Sequence, residues 1–382
     1  MMPLGEAFYR GRVSAIQEKL GATGDFDGVL MLDVYNVIYA SGFVHIPSER
    51  PIGFYIPKSG DPVLFVPLLE KENASATWVG DIRTYFEYPG EVNAIDFMLK
   101  ECGAAKIGVD TVSLDNIRAY DAGEIKLTKM VEHMRWIKMP EELDVIEKAA
   151  RYADFCLEQV RDHAMAIIKD GGTELDILKQ CLDATNAKVK AEVGELFKLR
   201  GSSVVGTVHS GPRAALPHGS PITRPPQMGE TLIAGIGVNV GGYHAESGAT
   251  FILGEPIGDQ MHCLQSAVNC DRAGVDALRV GATCAEVNEA ALNVLKNAGL
   301  GDAIRHRIGH GMGLQGHESP WLAPGDMTPI ERNMVFSNEP GIYRPGKDGY
   351  RTINTMIVTD GAARVPSRFL AENPPEKRIL TG

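Results

Sequence analysis

The sequence has few cysteines, no long apolar run and no excess of positive charge, and each shortage excludes a class of protein. The six cysteines include no Cys-x-x-Cys pair, which argues against a disulfide framework or a cysteine-rich zinc site. No apolar run approaches the roughly 20 residues that a membrane span needs, and the amino terminus lacks the apolar core of a signal peptide. The net charge of −11 disfavours binding to nucleic acid or to an anionic membrane surface. We therefore expect a cytoplasmic α/β protein that acts on a small molecule.

The length of 382 residues and the 44% of apolar residues predict two globular domains. In the first part of the chain, short apolar runs that are typical of buried strands alternate with helical patterns. This alternation predicts a small mixed α/β domain over residues 1–132. Strands are predicted at 28–34, 61–66 and 106–110, and helices at 11–20 and 92–99.

The second part, residues 133–382, combines long amphipathic helices with β-rich segments. A helix begins at Pro140, where proline and two acidic residues suit the first turn. The pattern predicts helices that cover a curved antiparallel sheet. Further helices are predicted at 174–190, 259–275 and 285–298, and β-rich segments at 203–208, 231–253, 334–339 and 353–359.

Residues 231–253 predict a hairpin with one carboxylate on a glycine-rich face. The Gly241-Gly242 pair favours a two-residue turn, since both positions of that turn need positive φ. This turn pairs Gly237 with Glu246 and Gly235 with Gly248. These four positions then share one face of the hairpin with Asn239 and His244. Such a face suits close approach of a ligand, although an exposed hairpin with one glutamate would have the same pattern.

Further candidate site residues stand in short glycine- or proline-containing segments. His310 lies between two glycines, which would let a ligand approach its ring, and His317 follows seven residues later. His218 follows a proline, Glu339 precedes a Pro-Gly turn, and Arg351 precedes the final predicted strand. An arginine fork could pair with a substrate carboxylate. Each residue also has an ordinary alternative, such as a surface histidine or a surface ion pair.

Taken in order, the segments LPH, GYHAE, GHGMG, GHE, EPGIY and GYR resemble the pita-bread family. This family includes creatinase, prolidase (the Xaa-Pro dipeptidase), aminopeptidase P and methionine aminopeptidase. Residues 135–142 resemble the family's entry into its catalytic domain, and residues 35–42 resemble the amino-terminal domain of creatinases and prolidases. The resemblance implies an amino-terminal domain over 1–132, a pita-bread catalytic domain over 133–382, and a homodimer.

The resemblance also implies where metal ligands would lie. The family's peptidases hold two divalent ions with two Asp, one His and two Glu. These ligands fall on Gly235, Glu246, His310, Glu339 and Ile353. Gly235 and Ile353 have no donor atom, so we expect no two-metal centre and, as the first interpretation, no cofactor at all. The alternative is one divalent ion, zinc, manganese or iron, on Glu246, His310 and Glu339.

Our first functional hypothesis is therefore a creatinase-like, metal-independent hydrolase of a C–N bond, amide or amidine-type, in a small zwitterion. A histidine would move the proton between water and the leaving nitrogen, as the resemblance to creatinase implies for His218. Creatinase's hairpin glutamate falls on Gly248, and Glu246 would replace it. This hypothesis assigns catalytic roles to His218, Glu246, Glu339 and His310, and substrate contacts to His317, Arg351, Tyr243 and His209.

Two other hypotheses stay open. The first is a metal-dependent Xaa-Pro dipeptidase or aminopeptidase with a reduced single-metal site. The second is a lyase, or a small-molecule binder without catalytic activity, on the same scaffold. Metal dependence distinguishes the peptidase from the creatinase-like hydrolase.

Overall fold

A computed structural model of the chain describes residues 4–111, 124–194 and 203–381. The chain divides into two compact units, Met1–Arg135 and Trp136–Gly382. In the described part of the chain, none of the helices combines the length and the hydrophobicity needed to cross a bilayer.

The first unit contains a six-stranded sheet with the order β4-β3-β2-β1-β5-β6. Strands β1, β2 and β3 pair antiparallel, while β3–β4, β1–β5 and β5–β6 pair parallel. The strands are β1 Gly28–Met31, β2 Gly53–Pro57, β3 Val63–Pro67, β4 Asp81–Tyr85, β5 Lys106–Val109 and β6 Glu124–Leu127. The helices are α1 Glu6–Thr23, α2 Val34–Ser41, α3 Lys71–Ser75, α4 Ala94–Cys102 and α5 Met130–Trp136.

The strand predicted to run to Val34 is shorter in the structure and ends at Met31. Asp33 caps a helix there, because its side chain accepts hydrogen bonds from the backbone N–H groups of Tyr35 and Asn36. The capping carboxylate thus ends the strand and starts α2 within three residues.

The second unit contains an eight-stranded sheet with the order β11-β10-β12-β15-β9-β8-β7, in which β16 also pairs with β9, and a separate β13–β14 hairpin. The strands are β7 Ser203–Ser210, β8 Thr231–Val240, β9 Tyr243–Leu253, β10 Gly309–Gly311, β11 Glu318–Leu322, β12 Val335–Asn338, β13 Gly341–Arg344, β14 Asp348–Arg351, β15 Ile353–Ile357 and β16 Ile379–Leu380. The helices are α6 Pro140–Lys169, α7 Glu174–Val193, α8 Gln260–Ala277, α9 Cys284–Asn297 and α10 Phe369–Glu372.

Helix α6 is anchored at its start and packs along the central hairpin. Pro140 occupies the first turn, and the Glu142 carboxylate accepts a hydrogen bond of 2.7 Å from the Met139 N–H. The apolar face of α6 is buried and contacts β8 and β9. Helices α8 and α9 pack on each other and form a core with β11, β12 and β15. Helices therefore cover the sheet that presents the site residues, as the sequence predicts.

The central hairpin β8–β9 has the predicted register. Gly237 pairs with Glu246 and Gly235 pairs with Gly248. The turn residues Gly241 and Gly242 have φ values of 57° and 93°, which a residue with a side chain rarely adopts. The two-glycine turn thus fixes which residues share a face with Glu246.

Candidate functional site

Three predicted site residues meet at one end of the large sheet. Glu246 lies on β9, His310 on β10, and Glu339 directly follows β12. His310 Nε2 lies 3.5 Å from Glu339 Oε1 and 3.9 Å from Glu246 Oε2. We call this cluster of Glu246, His310 and Glu339 the ligand half of the site.

The His310 ring is held so that one nitrogen faces the two carboxylates. Its Nδ1 lies 3.0 Å from the Gly311 carbonyl oxygen and donates to it, which leaves Nε2 directed at Glu246 and Glu339. The residue is fully buried, and Nε2 has no well-aligned hydrogen-bond partner. Burial alone would lower the pKa of His310, but the two carboxylates outweigh it and raise that pKa.

The two carboxylates of the ligand half are also fixed. Ser337 Oγ donates to Glu246 Oε2 over 2.9 Å, and the Glu246 N–H donates to Thr355 Oγ1 over 2.9 Å. Burial alone would raise the pKa of Glu339, but His310 and Arg351 lower it to about 2. Glu339 is therefore an anion at neutral pH.

The glycines beside His310 serve strand packing and not ligand approach to the ring, which corrects our sequence interpretation. A Cβ on Gly309 would lie 1.9 Å from the Ser337 carbonyl oxygen. A Cβ on Gly311 would lie 2.7 Å from the Ser319 carbonyl oxygen. Only glycine lets β10 fit between β11 and β12, and this fit brings His310 to the two carboxylates.

His317 extends this group toward solvent. Its ring stacks on the His310 ring, with centroids 3.8 Å apart. One ligand atom from each of Glu246, His310 and His317 lies within 4.8 Å of the others. The neighbouring Glu318 forms a buried ion pair of 3.0 Å with Lys138, which fixes the backbone beside His317.

A cleft of about 300 Å³ opens beside the ligand half. Five of the eight predicted site residues line it, and apolar side chains form part of its wall. The predicted residues are His218, Glu246, His317, Glu339 and Arg351. The other lining residues are Val205, Gly206, Thr207, Pro217, Gly235, Ile236, Gly237 and Ile353. The buried His310 ring lies behind His317.

Two predicted substrate contacts lie outside this lining. Tyr243 is buried, and its hydroxyl donates to Glu142 Oε1 over 2.9 Å. His209 is buried, and its Nε2 donates to the carbonyl oxygen of Gly219. His209 therefore positions the loop that carries His218. Contrary to the sequence prediction, neither Tyr243 nor His209 lines the cleft where it could contact a substrate.

A second group of residues, which we call the glycine half, comprises Gly235, Arg351 and Ile353, which line the cleft, and Gly248, which pairs with Ile353. A Cβ on Gly235 would lie 2.5 Å from Arg351 Nη2, and a Cβ on Gly248 would lie 2.6 Å from Ile353 Cδ1. The space beside the two glycines is therefore occupied by a guanidinium group and an aliphatic side chain.

The sequence analysis did not identify His306 as a site residue, although its position four residues before His310 could have indicated this. His306 Nε2 lies 2.9 Å from the Tyr343 hydroxyl, and burial lowers the pKa of His306.

Sequence reasoning also missed a buried network behind the ligand half. There, the carboxylate of Asp271 accepts hydrogen bonds of 2.8 Å from both Asn338 and Asn354. This network fixes the strand ends next to Glu339 and Ile353.

Comparison with known proteins shows to which family the chain belongs. The profile of Metallopeptidase family M24 matches residues 144–360, and that of the Creatinase/Prolidase N-terminal domain matches residues 12–137. The chain belongs to metallopeptidase family M24. Family membership confirms the predicted resemblance, the pita-bread fold and a hydrolase that acts on C–N peptide bonds.

Individual relatives cover nearly the whole M24 chain. The probable dipeptidase PepE of Mycobacterium bovis is 29% identical over 376 residues, which span 95% of this chain and 96% of the relative. The crystal structure of dipeptidase PepE from Mycobacterium ulcerans is 28% identical, with a TM-score of 0.83 and coverage of 95% and 96%. The Xaa-Pro dipeptidase from Bacillus anthracis is 25% identical, with a TM-score of 0.78 and coverage of 94% and 98%.

Family membership contradicts our first expectation that the protein has no cofactor, because M24 is a family of metallopeptidases. The M24 site itself offers a donor set for one ion. The buried, unpartnered Nε2 of His310 faces two carboxylates, and nitrogen with carboxylate oxygen is a set that catalytic zinc accepts. At Gly235 and Ile353, where the family resemblance places two further ligands, the side chains offer no donor atom, and the Arg351 guanidinium lies beside Gly235.

Proposed function

We propose that this M24 protein is a metal-dependent dipeptidase with a single divalent ion on His310, Glu246 and Glu339. Zinc, manganese and iron are the candidate ions. The observation that carries the proposal is His310 Nε2, which is fully buried, has no hydrogen-bond partner and lies within 4 Å of both carboxylates. Burying an unsatisfied polar atom costs about 1–3 kcal/mol, and a bound cation removes this cost.

The geometry of the ligand half favours metal binding by His310 over the metal-independent catalytic role that our first hypothesis assigns to it. Its Nδ1–H donates to the Gly311 carbonyl, which leaves the Nε2 lone pair free in the neutral ring. A metal-binding histidine commonly donates its other N–H to a carbonyl in this way. The hydrogen bond from Ser337 to Glu246 is a second support of this kind.

When bound, such an ion acidifies a water molecule and polarises a carbonyl oxygen. The remaining groups of the cleft would then position the peptide and move protons. His218 is exposed on the cleft wall, and imidazole exchanges protons near neutral pH. We assign to His218 the proton transfer to the leaving nitrogen. His317, at the cleft surface beside His310, would donate a hydrogen bond to the substrate carbonyl.

A small peptide substrate is supported by the size and the lining of the cleft. A volume of about 300 Å³ suits a dipeptide better than a long chain. Val205, Ile236 and Ile353 supply an apolar wall for a side chain or a proline ring. The relatives described as dipeptidase and Xaa-Pro dipeptidase make Xaa-Pro dipeptides the first substrates to test.

Metal removal and reloading tests the proposal directly. We expect the purified protein to hydrolyse glycyl-L-proline, to lose this activity after dialysis against a chelator, and to regain it with zinc, manganese or iron. Mass spectrometry should find one ion per chain. His310→Ala should lower metal affinity and kcat/KM by about 100-fold or more, because it removes a ligand from a minimal set.

His262→Ala is the matched control, since this exposed histidine on α8 is outside the cleft lining and its Nε2 lies 3.3 Å from the Ala298 carbonyl oxygen. It should leave metal content and kcat/KM unchanged. Hydrolysis that persists after complete metal removal would refute the proposal. The homodimer, which the family resemblance implies, and the cytoplasmic location, which the composition led us to expect, both stay predictions.

A further inference from the structure

Glu174 is a fully buried carboxylate in the first turn of α7, and it lies outside the cleft lining. Its Oε1 accepts hydrogen bonds of 2.9 Å from both the backbone N–H and the hydroxyl of Ser210. Its Oε2 accepts hydrogen bonds of 3.3 Å from Arg213 Nε and from the Ile222 N–H. Four donors are about as many as an ionised carboxylate can accept, so hydrogen bonding offsets the cost of burying this group.

These donors all belong to the segment that carries His218. Ser210 ends β7 and begins the segment, Ile222 ends it, and Arg213 lies between them. We call residues 210–222 the His218 loop. Glu174 thus binds the loop at both ends, and this restricts the backbone conformations that the loop can adopt.

The backbone around His218 is also held at its carbonyl oxygens. The residue before His218 and the two residues after it each accept a hydrogen bond from a basic side chain. The pairs are Pro217 with Arg351, Gly219 with His209, and Ser220 with Arg213. Because Arg213 binds both Ser220 and Glu174, it connects the buried carboxylate to the peptide groups beside His218. The His218 side chain itself stays exposed on the cleft wall.

We propose that Glu174 is a positioning residue for proton transfer by His218. The carboxylate fixes the His218 loop, and the fixed loop keeps the exposed imidazole where it can pass a proton to the substrate. This inference rests on the proposed dipeptidase function. In that function His218 takes a proton from the attacking water and gives one to the leaving nitrogen as the C–N bond breaks. Glu174 acts on this step only through the loop, since it is buried away from the cleft.

Glu174→Gln tests the proposal with little change in side-chain volume. The amide replaces one carboxylate oxygen with an NH₂ group, which then faces donors instead of accepting from them. Acid–base catalysis contributes about 10²–10⁴-fold, so we expect a displaced imidazole to lower kcat for glycyl-L-proline by about 10- to 100-fold. In the metal-loaded protein, KM and metal content should change by less than about twofold, since the ligand half is not altered.

A double-mutant cycle with His218→Ala separates positioning from general stabilisation. A carboxylate that only stabilises the fold would lower kcat by the same factor with and without His218. If Glu174 acts through His218, Glu174→Gln should lower the kcat of His218→Ala by less than about twofold. Arg213→Met makes the same test with the buried carboxylate in place, and it serves if Glu174→Gln does not fold. It should lower kcat by about fivefold or more, and only when His218 is present.

Glu142→Gln is the matched control. Glu142 is also a buried glutamate in the first turn of a helix, α6. It also accepts hydrogen bonds from a backbone N–H and a hydroxyl group, those of Met139 and Tyr243. This variant should lose stability, but its kcat should change by less than about twofold.

Amide hydrogen exchange tests the loop without a substrate. In Glu174→Gln, peptides from the His218 loop should exchange about 10-fold or more faster than in the wild type, while peptides from β8 should not change. Unchanged exchange in the loop, or equal losses of kcat with and without His218, would overturn the inference. If the wild type shows no metal-dependent hydrolysis, the dipeptidase function fails by itself, and the exchange result still decides whether Glu174 holds the loop.

Discussion

The two halves of the cleft contain similar numbers of glycines, but these glycines have different structural roles. In the ligand half, Gly309 and Gly311 let backbone strands approach, and they place His310 between its two carboxylates. In the glycine half, Gly235 and Gly248 leave room for the side chains of other residues. Glycine enrichment around a site therefore does not indicate a single structural role.

The two halves also differ in how their polar groups are supported. In the ligand half, Ser337 and Thr355 hold Glu246, and Asn338 is bonded to Asp271 next to Glu339. In the glycine half, Ile353 fills the space beside Gly248. One half therefore holds carboxylates and a histidine in a hydrogen-bonded frame, whereas the other half packs glycines against Arg351 and Ile353.

The largest effect that separates the two halves should come from Gly309→Ala. The new methyl group would lie 1.9 Å from the Ser337 carbonyl oxygen, and neither strand can move without breaking the pairing of β10 with β12. We expect the free energy of unfolding to fall by about 3 kcal/mol or more. Chemical denaturation of the purified variant measures this loss.

Gly316→Ala is the control for this experiment. Gly316 lies in the same glycine-rich segment, but its Cβ would meet only the His244 ring, at 3.6 Å. We expect a change of less than about 1 kcal/mol. Equal losses in Gly309→Ala and Gly316→Ala would contradict the strand-packing role of Gly309.

A smaller effect should come from removing one support of the ligand half. Ser337→Ala deletes the hydroxyl that donates to Glu246 Oε2 over 2.9 Å. Losing a hydrogen bond to a metal ligand typically lowers metal affinity by about 10- to 100-fold. Competition with a chromogenic chelator would measure this loss.

Ser247→Ala is a matched control for Ser337→Ala. Ser247 is also buried and its hydroxyl also donates to a carboxylate, Asp154, over 2.6 Å, but that carboxylate is on α6. The variant should lose stability and keep metal affinity. If Ser247→Ala weakens metal binding as much as Ser337→Ala does, the support of Glu246 is not specific.

Turn and helix-start rules, which depend only on neighbouring residues, were sufficient to predict part of this fold. The Gly241-Gly242 turn fixed the register of β8 and β9, since a two-residue loop permits one pairing. The helix at Pro140 was predictable from its first turn. The short strands β10 and β11 were missed, because β10 has three residues, two of them glycine, and β11 has five with a proline among them, so neither has a clear period to detect.

The candidate site was predictable only in part, for the same reason. The order of motifs was enough to predict that Glu246, His310 and Glu339 lie in one site, and the structure places them within 4 Å of the His310 ring nitrogen. Packing over long sequence distances was not predictable, such as Arg351 against Gly235 or His209 against the loop of His218. The absence of donor atoms at Gly235 and Ile353, where the resemblance places two metal ligands, led us to expect a metal-free enzyme, and that expectation was wrong for a metallopeptidase family.

The smallest change should come from restoring one lost carboxylate. In Gly235→Asp, the new side chain would meet the Arg351 guanidinium, and an ion pair there would neutralise the carboxylate. Ile353 still offers no oxygen, so we expect metal analysis to find the same one ion per chain as in the wild type. A count of two would show that the missing aspartate is the only barrier to a second ion. Because the arginine, the glycine and the isoleucine fill one space together, a single reversion should not rebuild the lost half.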